Sequence, residues 1–287
     1  MTIQQLLQFA TTALQDKTAS PDLDAAILLA HVLDQPRSYL YTWPEQPIND
    51  TQLHRFQALL QQRCQQQIPI AYLVRQKAFW SLDLEVTEAT LIPRSETELL
   101  VATALTLLPA TAPMQVADLG TGSGAIALAL ASERPDWHLY ATDVSKNALA
   151  IASKNAQQLA LSNLSFHQGD WCTALPVKGL QMIISNPPYL SAAEWAAAPG
   201  LHAEPQQAFI ADEGGLSALR IISQTASTYL IAGGYLLMEH GFAQGAAVRT
   251  LFMQAGYGQV HTLPDLAGHE RVTLGIWCPA KSDSLPV

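Results

Sequence analysis

The first 67 residues place apolar side chains at the spacing of amphipathic helices. Apolar positions recur three or four residues apart around Leu6, around Leu29 and around Leu60, which indicates one buried face on each of several helices. Ser20 followed by Pro21 is typical of a helix start, with the serine as cap and the proline in the first turn. No chemistry-bearing motif interrupts this pattern, so it predicts a small helical bundle.

Residues 68–94 follow a different pattern. Leu82, Leu84 and Val86 alternate with polar residues, which predicts one strand of a β-hairpin. Ser95 and Glu98 then match a capping box, so we expect these two side chains to start a helix over residues 96–108.

From residue 114 onward, short apolar runs alternate with helical patterns. This alternation predicts right-handed crossovers and a mainly parallel sheet. The predicted strands cover residues 115–119, 138–142, 164–168, 182–184 and 235–239, followed by a closing pair at 258–263 and 271–277. Helices are expected at 216–231 and 244–255 in the second half, and the polar tail from Pro279 to Val287 is expected to be disordered.

Composition narrows the function classes. The chain has 287 residues, 49% of them apolar and 14% charged, with a net charge of -9. This acidity argues against binding nucleic acid through phosphate neutralisation. The three cysteines and eight histidines are scattered, so we expect neither a disulfide framework nor a metal site. Without a spanning segment or signal peptide, a cytoplasmic protein without membrane contact is expected.

A glycine-rich turn follows the first strand of the alternating region. It would let a ligand approach the backbone at the N-terminus of the next helix. It also fits the dinucleotide pattern G-x-G-x-x-G/A with Ala125 in the last place. The cofactor-binding candidates in this turn are Gly120, Thr121, Gly122, Ser123 and Gly124.

Two aspartates accompany this turn. Asp143 ends the second strand, where it would accept hydrogen bonds from both hydroxyls of a ribose, a feature shared with nicotinamide enzymes. An alternative role for Asp143 is to cap the helix that begins near Ser145. Asp118 directly precedes the first glycine, which is less typical of nicotinamide enzymes, and we expect it to face an ammonium group of the cofactor.

The third and fourth strand ends distinguish between cofactors. Asp170 and Trp171 follow the third strand and offer an acceptor and a ring for an adenine. The fourth strand ends in a polar tetrad that suits an amino group but not hydride transfer. S-adenosylmethionine therefore explains all four strand ends, whereas a nicotinamide cofactor explains two.

The tetrad is Asn186, Pro187, Pro188 and Tyr189. Its prolines end ladder pairing, which leaves the Pro187 carbonyl free. With the side-chain carbonyl of Asn186, it would hold both hydrogens of a planar NH2 group, while Tyr189 supplies a flat wall. We therefore take Asn186, Pro187 and Tyr189 as catalytic candidates and the whole tetrad as substrate-binding. The alternative is a strand merely terminated by prolines.

These motifs together resemble the peptide chain release factor glutamine methyltransferases, the PrmC or HemK family. The resemblance also includes the stretch from Pro69 to Leu73, Phe79–Trp80, Leu91 to Arg94, His240–Gly241 and Glu270 to Gly275. It extends over nearly the whole chain, including the N-terminal helical region. The tetrad alone is shared with methyltransferases that act on the amino group of adenine in DNA.

The resemblance implies a fold, a cofactor and a substrate. The fold would be the α/β class I methyltransferase fold, Rossmann-like with a seven-stranded, mostly parallel sheet. The cofactor would be S-adenosyl-L-methionine, leaving S-adenosyl-L-homocysteine as product. The substrate would be the glutamine of the Gly-Gly-Gln motif in bacterial class 1 release factors, whose methylation modulates translation termination. Cofactor contacts would include the glycine-rich turn, Asp143, Trp171 and Asn186.

The chain departs from the family pattern at three positions. Arg75 stands where the family usually has glycine, and Ser95 stands where it has proline. The family's Arg-x-Glu-Pro is represented by residues 202–205, with His202 in place of the arginine.

The expected organisation is a recognition bundle at 1–75, a linker hairpin at 76–94 and a catalytic domain at 95–287, in a monomer that does not contact nucleic acid directly. One alternative function is methylation of the adenine amino group in DNA or RNA, with the base flipped onto Tyr189. Another is a binding module that has lost its chemistry. The acidic charge disfavours the first, and the four intact strand-end motifs disfavour the second.

Overall fold

The computed structural model describes residues 1–279, so the predicted disordered tail lies outside the described residues from position 280 onward. The chain divides into two compact units, Met1–Gln76 and a larger one that starts at Lys77. Within residues 1–279, no helix is long and apolar enough to cross a membrane. Over the same range, no group of three or more His, Cys, Asp or Glu side chains is arranged to hold a metal ion.

The first unit is helical. Its helices are α1 (Ile3–Leu14), α2 (Pro21–Leu33), α3 (Arg37–Thr42), α4 (Asp50–Gln66) and α5 (Ile70–Val74). Their apolar faces form one core around Leu6, Leu29 and Phe56, all fully buried. Ser20 occupies the N-cap of α2 as expected, but its side chain makes no capping hydrogen bond. The local start of α2 therefore depends on Pro21 at its first position.

Arg75 ends α5 in a left-handed conformation, with φ 55° and ψ 32°. Its main-chain N–H donates to the carbonyls of Ala71 and Tyr72, as a residue that ends a helix in this conformation commonly does. Glycine adopts this conformation without the steric cost that a Cβ imposes. The left-handed backbone explains why glycine is usual in the family at this position. With arginine here, the fold includes the steric free-energy cost of a Cβ in that conformation.

A two-stranded antiparallel hairpin opens the second unit, formed by β1 (Lys77–Phe79) and β2 (Leu82–Leu84). The predicted capping box after it is wrong. The Ser95 hydroxyl donates to Glu96, and Glu98 Oε1 instead accepts the Trp80 N–H at 2.8 Å. A 3₁₀ turn from Ser95 to Thr97 precedes α6 (Glu98–Leu107), so the α-helix starts two residues later than predicted.

The remaining strands form the predicted mainly parallel sheet. They are β3 (Met114–Leu119), β4 (Trp137–Asp143), β5 (Leu164–Gln168), β6 (Leu180–Ser185), β7 (Leu230–Glu239), β8 (Tyr257–Pro264) and β9 (Glu270–Trp277). Their order across the sheet is β5-β4-β3-β6-β7-β9-β8. The five strands from β5 to β7 are parallel, and β9 pairs antiparallel with both β7 and β8.

Helices cover both faces of this sheet. They are α7 (Ala125–Glu133), α8 (Lys146–Gln158), the short α9 (Ala192–Ala196) and α10 (Asp212–Gly215), α11 (Ser217–Ala226) and α12 (Gly245–Gln254). Alternate residues of the central strands enter two separate cores, one packed with α6 and α7 and the other with α11 and α12. Helix α11 ends at Ala226 rather than at residue 231, because β7 begins as early as Leu230.

Parallel pairing aligns the carboxyl ends of four strands at one edge. Leu119 pairs with Thr142 and with Ser185, and Ser185 pairs with Met238. The next residue in each strand or loop therefore lies at the same edge of the sheet. This is where open α/β sheets bind their ligands.

Candidate active site

The glycine-rich turn between β3 and α7 has left-handed backbone at three positions. Gly120, Gly122 and Gly124 have φ of 73°, 58° and 88°. A Cβ on Gly124 would lie 2.7 Å from Leu128 Cδ1, whereas a Cβ on Gly122 would meet nothing within 4 Å. Gly124 therefore allows α7 to pack, while Gly122 exposes its backbone to open space.

Asp118 lies beneath this turn and is completely buried. Its Oδ2 accepts from the Thr121 hydroxyl at 2.6 Å and from the Ala127 N–H at 3.2 Å. Its Oδ1 is buried without a hydrogen-bond partner among the described residues. Burial raises the pKa of this carboxyl from 3.8 to about 7, although the two hydrogen bonds oppose the shift. Asp118 thus fixes the turn with one oxygen and keeps the other for an additional donor.

Asp143 ends β4 and faces the turn. Its Oδ2 accepts from the Gly122 N–H at 2.9 Å, and its Oδ1 accepts from the Ser145 N–H at 2.8 Å. Ser145 itself caps α8 by accepting from the Ala148 N–H at 3.2 Å. Burial raises the pKa of Asp143, and the two backbone donors oppose that shift. The carboxylate therefore joins the glycine-rich turn to the start of α8 while it lines the cavity.

Asp170 and Trp171 follow β5, and both line the same cavity. Trp171 has a φ of 42°, an unusual backbone conformation for a bulky residue. Its ring lies over the glycine-rich turn, since a Cβ on Gly120 would be 3.3 Å from Trp171 Cζ3. Glycine at 120 therefore lets an aromatic wall pack against the turn.

The tetrad follows β6 directly. Asn186 is partly buried and Pro187 is buried, and the Asn186 Nδ2 donates to the Thr97 hydroxyl oxygen at 3.0 Å. The Tyr189 hydroxyl donates to Glu239 Oε1 at 3.4 Å, while the Tyr189 carbonyl accepts from Gln244 Nε2 at 2.9 Å. Because the amide nitrogen of Asn186 is engaged by Thr97, its carbonyl is the end available to a ligand.

One cavity brings most of the predicted residues together. It encloses about 720 Å³ of empty space, part of it open to solvent. From the sequence-predicted set, its wall includes Gly120, Gly122, Asp143, Asp170, Trp171, Asn186 and Pro188. The other predicted residues are not part of the described cavity wall: Asp118, Thr121, Ser123, Gly124, Pro187 and Tyr189. Thr121 and Ser123 are buried within the turn itself.

Two loops that were not predicted as site residues complete the wall. One contributes residues 89–91, and the other contributes Pro205, Gln207 and Ala208. Glu204 joins these loops, because its Oε2 accepts the Ile92 N–H at 2.9 Å and its Oε1 pairs with Arg94. In the sequence, this contact corresponds to the Glu–Pro pair at residues 204–205, and that pair by itself does not predict a functional role.

His202, the departure nearest this loop, is exposed and stacks on Trp195 with ring centroids 4.1 Å apart. Its Nε2 also lies 3.0 Å from the Trp195 carbonyl oxygen. The position therefore serves to fold its own loop against α9.

Thr97 is a further residue that the sequence does not predict as part of the site, because its neighbours Ser95 and Glu98 match the spacing of a capping box.

Comparisons with known proteins agree with this geometry. Residues 5–74 match the family profile of the PrmC N-terminal domain, and residues 95–238 match that of the methyltransferase small domain. The chain is 44% identical to the release factor glutamine methyltransferase of Aliivibrio fischeri over 96% of its own length and 98% of that protein. It is also 44% identical to the enzyme of that name from Escherichia coli, over 96% and 99% of the two chains.

Among solved structures, a methyltransferase from Pyrococcus furiosus has the same fold. The TM-score is 0.53 at 16% identity, covering 70% of this chain and 92% of the other.

Proposed function

This chain belongs to the family of release factor glutamine methyltransferases, and we propose that S-adenosylmethionine supplies the methyl group that it transfers. We further propose that the acceptor is the side-chain amide nitrogen of the glutamine in the Gly-Gly-Gln loop of a class 1 release factor. The observation that supports this most is the placement of Asn186 in the same cavity as Asp143 and the glycine-rich turn.

Residues of the cavity wall, together with Asp118 beneath the glycine-rich turn, fit this cofactor. Asp118 Oδ1 is a buried acceptor without a partner among the described residues, which suits an ammonium group. Asp143 suits the ribose hydroxyls, and the Trp171 ring with Asp170 suits an adenine. Space beyond Gly122 lets the ligand reach the backbone at the start of α7. When bound, the cofactor supplies a methyl group on a sulfonium.

The tetrad residues hold the amide to be methylated. A glutamine amide is a weak nucleophile, because its nitrogen lone pair is delocalised into the carbonyl. The side-chain carbonyl of Asn186 and the main-chain carbonyl of Pro187 accept the two N–H hydrogens and so aim the lone pair. Orientation of this kind accounts for up to about 7–11 kcal/mol of a reaction barrier.

No ionised base is needed before the attack. The bound cofactor would supply the methyl group to the amide nitrogen, and the proton that this nitrogen then loses would pass to the solvent that reaches the cavity. Tyr189 stays neutral in this scheme, because burial raises the pKa of its phenol. Its ring serves as a wall for the amide plane.

We assign recognition of the release factor to the helical unit, in a chain that acts as a cytoplasmic monomer with the hairpin as its linker. This unit exposes large apolar side chains, among them Tyr41 at 68% and Trp43 at 55%. Exposed aromatic side chains of this kind are typical of protein contact sites. The acidic chain, with its net charge of -9, suits a protein substrate better than a nucleic acid.

The test is mass spectrometry of purified release factor after incubation with the protein and S-adenosylmethionine. We expect one added methyl group on the glutamine of the Gly-Gly-Gln loop, and none when that glutamine is replaced by alanine. Asn186→Ala should lower the rate roughly a hundred- to a thousandfold, the typical loss for one preorganised polar contact. Its affinity for the cofactor should stay within about a factor of ten of that of the wild type. Methylation of duplex DNA, or an undiminished rate for Asn186→Ala, would contradict the proposal.

A further inference from the structure

A buried amide side chain lies behind the glycine-rich turn, and the mechanism above does not use it. Asn155 belongs to α8 and is 1% exposed. Its Oδ1 accepts from the Glu85 N–H at 2.7 Å. Its Nδ2 donates to the Glu85 carbonyl at 3.0 Å and to the Ser123 carbonyl at 2.9 Å. The oxygen and both hydrogens of this amide therefore bind the backbone of two segments that are distant in the sequence.

The backbone of Glu85 determines how the Asn155 amide is oriented. An N–H group needs an acceptor, so the Glu85 N–H selects the side-chain oxygen of Asn155. The two hydrogens on Nδ2 are then left for the carbonyls of Glu85 and Ser123. The amide thus presents a donor to the glycine-rich turn in only one of its two orientations.

The Ser123 carbonyl needs this donor because of what Asp118 does. Ser123 is 2% exposed and lies directly before the N-cap of α7. The helical partner of its carbonyl would be the Ala127 N–H, four residues later. That N–H donates instead to Asp118 Oδ2 at 3.2 Å. Asn155 therefore supplies a donor to a buried carbonyl that would otherwise cost free energy.

Both segments that Asn155 joins lead into the cavity wall. The chain runs from Glu85, directly after β2, into residues 89–91, and Ser123 directly follows Gly122. Residues 89–91 and Gly122 line the cavity, whereas Asn155 is not part of its described wall. Asn155 thus connects two parts of the wall from behind.

We propose that Asn155 is a positioning residue for the cofactor, because it holds the glycine-rich turn against the segment that leads to residues 89–91. It acts through the backbone of Ser123 and Glu85 and not by touching the ligand. This inference rests on the proposed function, in which S-adenosylmethionine binds in the cavity. The hydrogen bonds of Asn155 reach the turn and not the tetrad. Its loss should therefore weaken cofactor binding and leave the rate of the saturated enzyme unchanged.

Asn163 provides a matched control, because its side-chain amide also binds three backbone groups. Its Nδ2 donates to the carbonyls of Ala131, Arg134 and Trp137, each at 3.1 Å. Asn163 directly precedes β5, and Trp137 is the first residue of β4. These contacts therefore lie at the amino ends of the strands, at the opposite edge of the sheet from the cavity.

The experiment compares Asn155→Ala and Asn163→Ala with the wild type. Urea unfolding measures stability, and calorimetric titration measures affinity for S-adenosylmethionine. Both variants should be less stable than the wild type, because each loses several hydrogen bonds to buried backbone. Only Asn155→Ala should bind the cofactor more weakly, by about tenfold, the usual scale for one lost hydrogen bond.

Steady-state kinetics with release factor give a second measurement. For Asn155→Ala we expect the KM for S-adenosylmethionine to rise by the same factor of about ten, while kcat at saturating cofactor stays near that of the wild type. Wild-type cofactor affinity in Asn155→Ala, or an equal loss of affinity in Asn163→Ala, would overturn the inference.

Asn155→Leu decides the question if the alanine variant does not fold. Leucine has the same branching as asparagine, so it fills the space while it removes the same three hydrogen bonds. The same loss of cofactor affinity is expected, and an unchanged affinity would overturn the inference. A wild-type protein that does not bind S-adenosylmethionine would refute the proposed function and this inference together. Wild-type affinity in the Asn155 variants would refute this inference alone.

Discussion

Replacing Glu204 by alanine should destabilise the protein and weaken cofactor binding together. The Glu204 side chain is 4% exposed and pairs with Arg94, whose side chain is 34% exposed. Its second oxygen accepts the buried Ile92 N–H at 2.9 Å. The substitution therefore leaves one backbone donor and one guanidinium without their acceptor, at the point where two loops of the cavity wall meet.

The magnitude follows from these two losses. Removing one partner of a buried ion pair costs about 3–5 kcal/mol, and an unpaired buried N–H costs about 1–3 kcal/mol. Because water can reach a third of Arg94, the ionic part is discounted. We expect the free energy of unfolding of Glu204→Ala to fall by roughly 3 kcal/mol. Glu204→Gln keeps one acceptor and should lose about half as much.

Urea unfolding and calorimetric titration with S-adenosylmethionine measure the two effects. The control is Glu213→Ala, which removes a carboxylate paired with Arg220 at 2.6 Å on the surface, where the Glu213 side chain is 49% exposed. This control should leave both stability and affinity unchanged. Glu204→Ala with wild-type stability would refute the energetic reasoning. A destabilised variant with wild-type cofactor affinity would show that the Glu204 contact does not shape the cavity.

Other parts of the structure give four further expectations. Because burial raises the pKa of Asp118 from 3.8 to about 7, its ionisation opposes folding. The quantity to compare is the unfolding free energy of the wild type minus that of Asp118→Asn. This difference should be highest below pH 3.8, fall by roughly 4 kcal/mol as pH rises and level off above about pH 7. A difference that does not change with pH would refute this expectation. Gly215→Ala places a Cβ 2.2 Å from the Tyr189 carbonyl, whereas Gly214→Ala meets nothing within 4 Å and both have positive φ. Urea unfolding should show a cost of about 1–2 kcal/mol for Gly214→Ala, and assays should show a loss of kcat only for Gly215→Ala. Arg75→Gly should be more stable than Arg75→Ala by about 1 kcal/mol in thermal unfolding, because φ is 55° there. Trp43→Ala removes an exposed side chain, so it should raise the KM for release factor while cofactor affinity, measured by titration, stays constant.

The strands and the ends that carry chemistry could be predicted from the sequence, because both are local. The central strands of the sheet contain short apolar runs, and the position of each strand's end is set by the next few residues. The predicted strand at 164–168 matches β5 exactly in its bounds. Since parallel strands end at one edge, the glycine-rich turn, Asp143 and the tetrad can be placed together from the sequence alone.

Local motifs fail where a tertiary partner competes for the same group. Glu98 has the right spacing from Ser95 for a capping box, yet its carboxylate accepts the Trp80 N–H in the hairpin turn. Trp80 has a φ of 56°, and its N–H needs an acceptor as the hairpin packs against α6. The spacing of Ser95 and Glu98 contains no information about the Trp80 N–H, which lies 18 residues earlier in the chain and needs this acceptor.

The same limit applies to the orientation of groups within the site. The sequence identifies Asn186 as an acceptor, but nothing near it decides which end of its amide faces the cavity. That choice depends on Thr97, 89 residues earlier, whose hydroxyl oxygen accepts from Asn186 Nδ2 at 3.0 Å. Likewise Glu204 contacts Ile92 across 112 residues. The position of a residue at a strand end is set by its own segment of the chain. The direction of its hydrogen bonds is set by contacts with other segments, which are distant in the sequence. Replacing Thr97 by valine, which removes the hydroxyl that accepts from Asn186, should therefore alter kcat without altering the cofactor contacts that the motifs predict.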